Sequence, residues 1–479
     1  MPLFASSLRR LRHVVGVALA AAAAMAYANP APPWPAEVDA ALARAKLPRE
    51  ALSVYVADAQ DARANARLAY RAQEAVNPAS VMKLVTTYAA LDLLGPAYTW
   101  STPVFVDGVV QGGSLKGNVY IQGQGDPKLV LERLWLLLRR LQAQGIQVIV
   151  GDIVLDRSAF AVPAHDPGRF DGEPLRPYNA APDALLLNYK SVAMTFVPDP
   201  GAGVARVQYD PPLAGVQRQA TVPLAATGAE CGDWRLGLRA DLSDPMRTAF
   251  RGVFPAACGE RVWPVAYADP SAFAARAVEG MWRELGGKLT GSVREGKVPA
   301  GLRPAFSATS PTLAEVVRDV NKFSNNVMAQ HVFLTLALQK NSVATLGGAR
   351  EALRQWWQGR FGDTAQPVAD NGAGLSREAR ISAQALGRML QAAWLSPVMP
   401  ELVSSLPIAG VDGTLRRSKS RAGMAHLKTG SLRDVMAIAG YVHAASGRRY
   451  VLVAIVNHPG AAAARPAMDA LIDWTARDQ

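Results

Sequence analysis

The pattern of apolar and polar positions divides the chain into three regimes. From residue 51, "ALSVYVADA" and "ARLAYRA" alternate enough to predict two early strands. "NPASVMKLVTTYAALDLLG", residues 77 to 95, is almost continuously apolar or small. Asn77 and Pro78 open it and Gly95 closes it, which predicts a buried helix. From 98 to about 297, short β-like runs take over, among them "GNVYIQGQGD", "GIQVIVGDIVLD", "ARVQYD" and "ATVPLAA". Two helical stretches interrupt them, "PKLVLERLWLLLRRLQAQG" and "PSAFAARAVEGMWRELGG". Helical periodicity resumes at Ser310, where Thr312 and Glu315 have capping-box spacing ahead of "LAEVVRDVNKF". A polar turn, "NKFSNN", leads into "VMAQHVFLTLALQ", and more helices follow to about 405. The end is β again: "AHLKTGSL", then "VMAIAGYVHA" and "RRYVLVAIVNH" joined by "ASG", before a last helix from about Ala461. First and last strands in one antiparallel sheet, covered by the middle helices, predict an α+β domain split by a long, mostly β insertion.

One position breaks the apolar helix. Lys83 sits in its second turn, and Ser80 lies three residues earlier on the same face. A serine hydroxyl is a weak nucleophile without a base in reach. A buried lysine is such a base once burial lowers its pKa. Only 11 of the 51 Lys plus Arg are Lys, and Arg cannot be deprotonated usefully, so the choice of Lys is informative. Taken alone, Ser-x-x-Lys is weak: about half a match is expected by chance, and a lysine snorkelling from a helix edge explains it as well. "Ser324-Asn325-Asn326" in the polar turn is equally weak alone, since these residues favour turns anyway. "Lys428-Thr429-Gly430-Ser431" on a late strand is stronger, with ~0.03 chance matches to Lys-Thr-Gly expected; its plain reading is a strand end with a glycine bulge. Each motif occurs once, in this order and in suitable secondary structure, and that conjunction argues against coincidence.

Composition and charge narrow the classes. The chain has 479 residues, half of them hydrophobic, enough for two or three domains. Its first segment has a basic start (Arg9, Arg10, Arg12), a short apolar run and Ala26-Tyr27-Ala28, the pattern of a signal peptide cleaved after Ala28. Export to the periplasm is therefore expected, and no Cys stands near the cleavage point to take a lipid. The net charge of +12 includes the three signal arginines and is spread without a basic run, which argues against nucleic-acid binding. Cys231 and Cys258 are the only cysteines and are expected to pair after export, closing a loop worth ~3 kcal/mol. The six histidines show no metal-ligand spacing, so a zinc hydrolase is not supported.

The three motifs resemble those of the penicillin-binding serine D,D-peptidases and their β-lactamase relatives. The 240 residues between Lys83 and Ser324 sharpen the resemblance to the class C low-molecular-mass penicillin-binding proteins, the D-alanyl-D-alanine carboxypeptidase/endopeptidase family. "GQGDP" (123–127), "YNAAPDALLLN" (178–188), "DNGAGLSR" (370–377) and "LPIAGVDGTL" (406–415) resemble that family too, with Ala373 where its pattern has Ser. The resemblance implies a serine β-lactamase/D,D-peptidase-like domain over 29–97 plus 298–479 and an inserted region over 98–297, expected as two small domains. It implies Ser80 as nucleophile, Lys83 as base, Ser324 as proton relay and Asn326 as a substrate and Lys83 contact. Lys428, Thr429 and Ser431 would meet the terminal carboxylate, Ser80 and Ser431 N–H groups would form the oxyanion hole, and Gly430 would leave room for substrate. Asp156 is a candidate for the side-chain amine of the diamino acid, with a surface turn as the plain alternative. Peptidoglycan stem peptides and cross-links are the implied substrates, β-lactams the implied covalent inhibitors, and a homodimer is allowed; no cofactor is implied. A β-lactamase and a non-catalytic wall-binding or penicillin-sensing protein are the competing readings. The large insertion argues against the first, and the intact nucleophile and base against the second.

Overall fold

The computed structural model describes residues 34–363 and 365–478. The expected signal peptide, 1–28, lies outside the described residues. After a first helix, Ala36–Arg44, come strands β1 (Leu52–Asp58) and β2 (Leu68–Tyr70) and helix α1 (Lys83–Leu94). Strands β3 (Ser101–Val106) and β4 (Val119–Gln122), helix α2 (Leu131–Ala143) and strand β5 (Ile153–Asp156) come next. Then follow β6 (Ser191–Asp199), β7 (Val204–Asp210), β8 (Arg261–Ala266), α3 (Phe273–Glu284) and β9 (Pro304–Thr309). Helices α4 (Leu313–Phe323), α5 (Asn326–Leu338) and α6 (Ala383–Trp394) precede the last strands, β10 (Ala425–Leu432), β11 (Val435–His443) and β12 (Arg449–Asn457). Helix α7 (Arg465–Arg477) ends the chain.

The first and last strands form one five-stranded antiparallel sheet in the order β2-β1-β12-β11-β10. Its central strands read as nearly unbroken apolar runs because both faces are covered. Ala437, Ala439, Tyr441, Val451, Val453 and Ile455 face the core shared with α1, α5 and α6. Their neighbours Ile438, Val442, Leu452, Ala454 and Val456 face a second core under α7. The split follows the period-2 alternation of side chains in a strand. Helix α1 has no polar face: Lys83 through Leu91 are all buried.

The insertion has two further cores. One lies between helices α2 and α3 and a sheet that contains β5, β4, β3 and β9 in that order. Strand β9 pairs antiparallel with β3, so the inserted sheet runs past residue 297, where the sequence reading ended it. Entry and exit of the insertion are thus adjacent strands, Ser101 lying opposite Thr309. The other core packs beneath the sheet built on β7, β6 and β8 and includes the Cys231–Cys258 disulfide, with Cα atoms 4.7 Å apart. The capping box foreseen at Thr312 and Glu315 opens α4. Among the described residues, no helix is long and apolar enough to cross a membrane.

Candidate active site

Ser80 lies on a 3₁₀ turn, Ala79–Met82, that feeds directly into α1. The turn is held from below by paired amides. Asn77 N–H donates to Asn457 Oδ1 at 3.0 Å, and Asn457 Nδ2 donates to the Asn77 carbonyl at 2.9 Å. Asn77 Oδ1 in turn accepts from Ala79 N–H at 2.9 Å. Ala79 itself has φ +47°, left-handed backbone that a non-glycine residue seldom adopts outside constrained sites.

Lys83 is fully buried, one turn below Ser80. Its Nζ is 3.0 Å from Ser80 Oγ and donates to Asn326 Oδ1 and to the Ala373 carbonyl, each at 2.6 Å. No carboxylate pairs with it among the described residues. Burial, reinforced by the nearby Lys428 charge, pushes its pKa well below the ordinary lysine value. Two carbonyl oxygens take two N–H bonds of a neutral amine and leave its lone pair for the Ser80 hydroxyl.

Ser324 and Asn326 flank the junction of α4 and α5. Ser324 ends α4 in the left-handed region, φ +58°, and Asn325 caps α5 by accepting from Met328 N–H. This turn puts Asn326 on Lys83 and Ser324 Oγ 2.8 Å from Lys428 Nζ. Lys428, on β10, is also fully buried; burial pushes its pKa down to about 7. It donates to the Thr429 carbonyl as well, at 2.6 Å. Thr429 Oγ1 is bonded to Thr414 Oγ1 at 2.6 Å, and Ser431 is exposed farther along the strand. Gly430 has a tighter reason than room for substrate. A Cβ there would stand 2.7 Å from the Pro78 carbonyl and 3.1 Å from Ser80 N, so a bare backbone lets β10 lie against the Ser80 turn.

Ser80, Lys83, Ser324, Asn326, Lys428, Thr429 and Gly430 therefore meet in one place, although up to 350 positions separate them along the chain. Asp156 shares no hydrogen bond or ion pair with them. It is 2% exposed at the end of β5, and its oxygens accept from Ser158 N–H, Val298 N–H and Gln122 Nε2. Burial works against its charge, but these hydrogen bonds outweigh burial and hold its carboxyl below the ordinary range. The structure therefore places Asp156 in an enclosed position at the end of β5, and not on a surface turn.

The model of the D-Ala-D-Ala carboxypeptidase 3 (S13) family matches residues 35–478. The chain belongs to this family. It is 27% identical over 385 residues to a D-alanyl-D-alanine carboxypeptidase of Actinomadura sp. (strain R39), covering 76% of this chain and 70% of that one. It is 26% identical over 369 residues to the D-alanyl-D-alanine carboxypeptidase DacB of Haemophilus influenzae, covering 74% and 75%. The crystal structure of penicillin binding protein 4 (dacB) from Haemophilus influenzae superposes with a TM-score of 0.70 at 23% identity, over 91% of this chain and 99% of that one, a likeness of fold.

Several contributors of this family member went unread in the sequence. Ala373 acts through its carbonyl, which carries no side-chain signature. Its loop is set by Thr86 Oγ1, which donates to the Gly372 carbonyl at 2.7 Å, and by Asn371 Oδ1, which accepts from Ala373 N–H at 3.0 Å. Gly374, with φ +73°, lies so close to the Ser80 turn that a Cβ would stand 2.0 Å from the Ala79 carbonyl. The run "DNGAGLSR" was the available signal. The Tyr178 carbonyl, from the insertion, accepts from Asn326 Nδ2 at 3.2 Å.

Proposed function

We propose that this family member is a serine-type D-alanyl-D-alanine carboxypeptidase and endopeptidase that cuts peptidoglycan peptides through an acyl-enzyme on Ser80. One observation carries the reading: the amine of a fully buried Lys83, with no carboxylate partner among the described residues, stands 3.0 Å from Ser80 Oγ. Ser80 Oγ attacks the carbonyl carbon of the penultimate D-Ala while its proton passes to Lys83 Nζ. Asn326 Oδ1 and the Ala373 carbonyl fix the amine during transfer. Backbone N–H groups of Ser80 and Ser431 stabilise the oxyanion. Ser324, bonded to Lys428, relays the proton taken up by Lys83 to the leaving amine, giving its own proton and receiving that one in exchange; the amine is free D-Ala in the carboxypeptidase reaction and a cross-linked residue in the endopeptidase reaction. Lys428 and the Thr429 and Ser431 hydroxyls attract the terminal carboxylate. Water then cleaves the ester, regenerating Ser80. None of these steps calls on a metal or an organic cofactor. β-Lactams enter the same path and stop at the acyl-enzyme, and the enzyme works after export to the periplasm.

The test is the intact mass of the protein after brief exposure to benzylpenicillin. One added penicillin is expected, absent in Ser80→Ala and nearly absent in Lys83→Arg, because Arg preserves charge but not deprotonation. Rapid drug loss without an adduct would instead make the protein a β-lactamase. Near-wild-type acylation of Lys83→Arg would remove Lys83 as the base.

A further inference from the structure

A groove of about 810 Å³ opens in the insertion beside the Ser80 site, a size suited to part of a peptide ligand. The 3₁₀ turn Pro177–Asn179 connects the two, packing on both α5 and β8. The Tyr178 carbonyl holds Asn326, while the Tyr178 side chain is 40% exposed and lines the groove. The opposite wall comes from residues 233–243 and from Trp263 on β8.

Its charges are unevenly satisfied. Two of the three acids on the wall are paired, Glu173 with Arg176 and Asp241 with Arg247 and Arg251, while Asp233 caps the short helix after it by accepting from Leu236 N–H. Arg235 and Arg239 line the groove, are exposed, and have no carboxylate partner among the described residues. Arg235 is steadied over the Trp263 ring at 5.8 Å and the Trp234 ring at 5.3 Å. That stacking also occupies aromatic surface that a sugar ring would need. Two guanidinium groups without counter-ions match carboxylates, which they bind in a planar fork.

We propose that this groove is a subsite for the carboxylate-bearing upstream part of the stem peptide, read by Arg235 and Arg239. The inference rests on the reading of Ser80 as the acylated residue. In a stem peptide, a glutamate joined through its side chain leaves its α-carboxylate free. That residue lies two positions before the acyl-forming D-Ala, roughly 7 Å along an extended chain.

The experiment compares two soluble stem pentapeptides ending in D-Ala-D-Ala, one with the free glutamyl α-carboxylate and one with that group amidated. For the wild-type protein, kcat/KM is expected to favour the carboxylate by about tenfold, mainly through KM, and the preference to vanish in Arg235→Gln/Arg239→Gln. No preference in the wild type would overturn the proposal. So would a preference that survives the double substitution, because the carboxylate is then read elsewhere. A gain from an attached disaccharide that ignores both the amidation and the substitutions would assign the groove to glycan and overturn it equally. Benzylpenicillin acylation of the wild type separates the two readings: without acylation the Ser80 reading fails, and with acylation but no carboxylate preference only the groove proposal fails.

Discussion

Two lysines, Lys83 and Lys428, are buried side by side with no carboxylate paired to either among the described residues. Burying an unpaired ammonium costs several kcal/mol, so the site trades stability for chemistry. The linkage has a definite sign. Lys428 has a folded pKa of about 7, below the unfolded value near 10.4, so between these limits the unfolded chain binds a proton that the folded chain does not. Stability contributed at this position therefore rises with pH from about 7 to about 10. Lys428→Met should stabilise the protein on the order of 3–4 kcal/mol at pH 6, with the gain shrinking toward pH 10, while carboxypeptidase activity is lost. Chemical unfolding at pH 6 and pH 9.5 measures this. An equal gain at both would mean that Lys428 is not held neutral by burial.

At the scale of elements, the site is a convergence of ends. The 3₁₀ turn before α1, the break between α4 and α5, and one edge strand each supply a short segment. Their spacing is set by close backbone approaches rather than by side-chain bulk. Gly430 is the clearest case, because a Cβ would press on the Pro78 carbonyl at 2.7 Å, a backbone atom that cannot swing aside. Gly430→Ala should displace β10 from the Ser80 turn by a few tenths of an ångström. Because small misplacements at a reacting centre are costly, acylation by benzylpenicillin should slow by about tenfold or more. Stopped-flow acylation kinetics checks it; an unchanged rate would show that the contact between β10 and the Ser80 turn does not set the reacting geometry.

At the scale of the molecule, the insertion is clamped onto the catalytic helices through His331 on α5. His331 is fully buried, with Nδ1 2.9 Å from the Gly125 carbonyl and Nε2 accepting from Asp183 N–H at 3.2 Å. That pair of bonds requires the neutral ring protonated on Nδ1. Burial pushes its pKa down to about 4, against 6.5 in the unfolded chain. Between those values the unfolded state takes up a proton that the folded state excludes, so up to about 3 kcal/mol of stability is lost as pH falls from 6.5 to 4. His331→Gln, whose amide does not titrate, should flatten this slope in urea unfolding measured from pH 7 to 4.5. An identical slope in the variant would assign the acid sensitivity to other groups.

The sequence by itself determined the three motifs, their order, the α+β class and most strand and helix positions. These depend on local periodicity, capping chemistry and the rarity of a lysine in an apolar helix, all of which are written along the chain. It determined the disulfide partners too, since only two cysteines exist. Only the tertiary structure decided that β9 belongs to the inserted sheet, because strand pairing across some two hundred residues leaves no local mark. It also decided the fate of Asp156, which looks the same in sequence whether its oxygens face solvent or three protein N–H donors. The contributions of the Ala373 and Tyr178 carbonyls were illegible for a related reason: every residue has a carbonyl, and only the folded backbone says where it points.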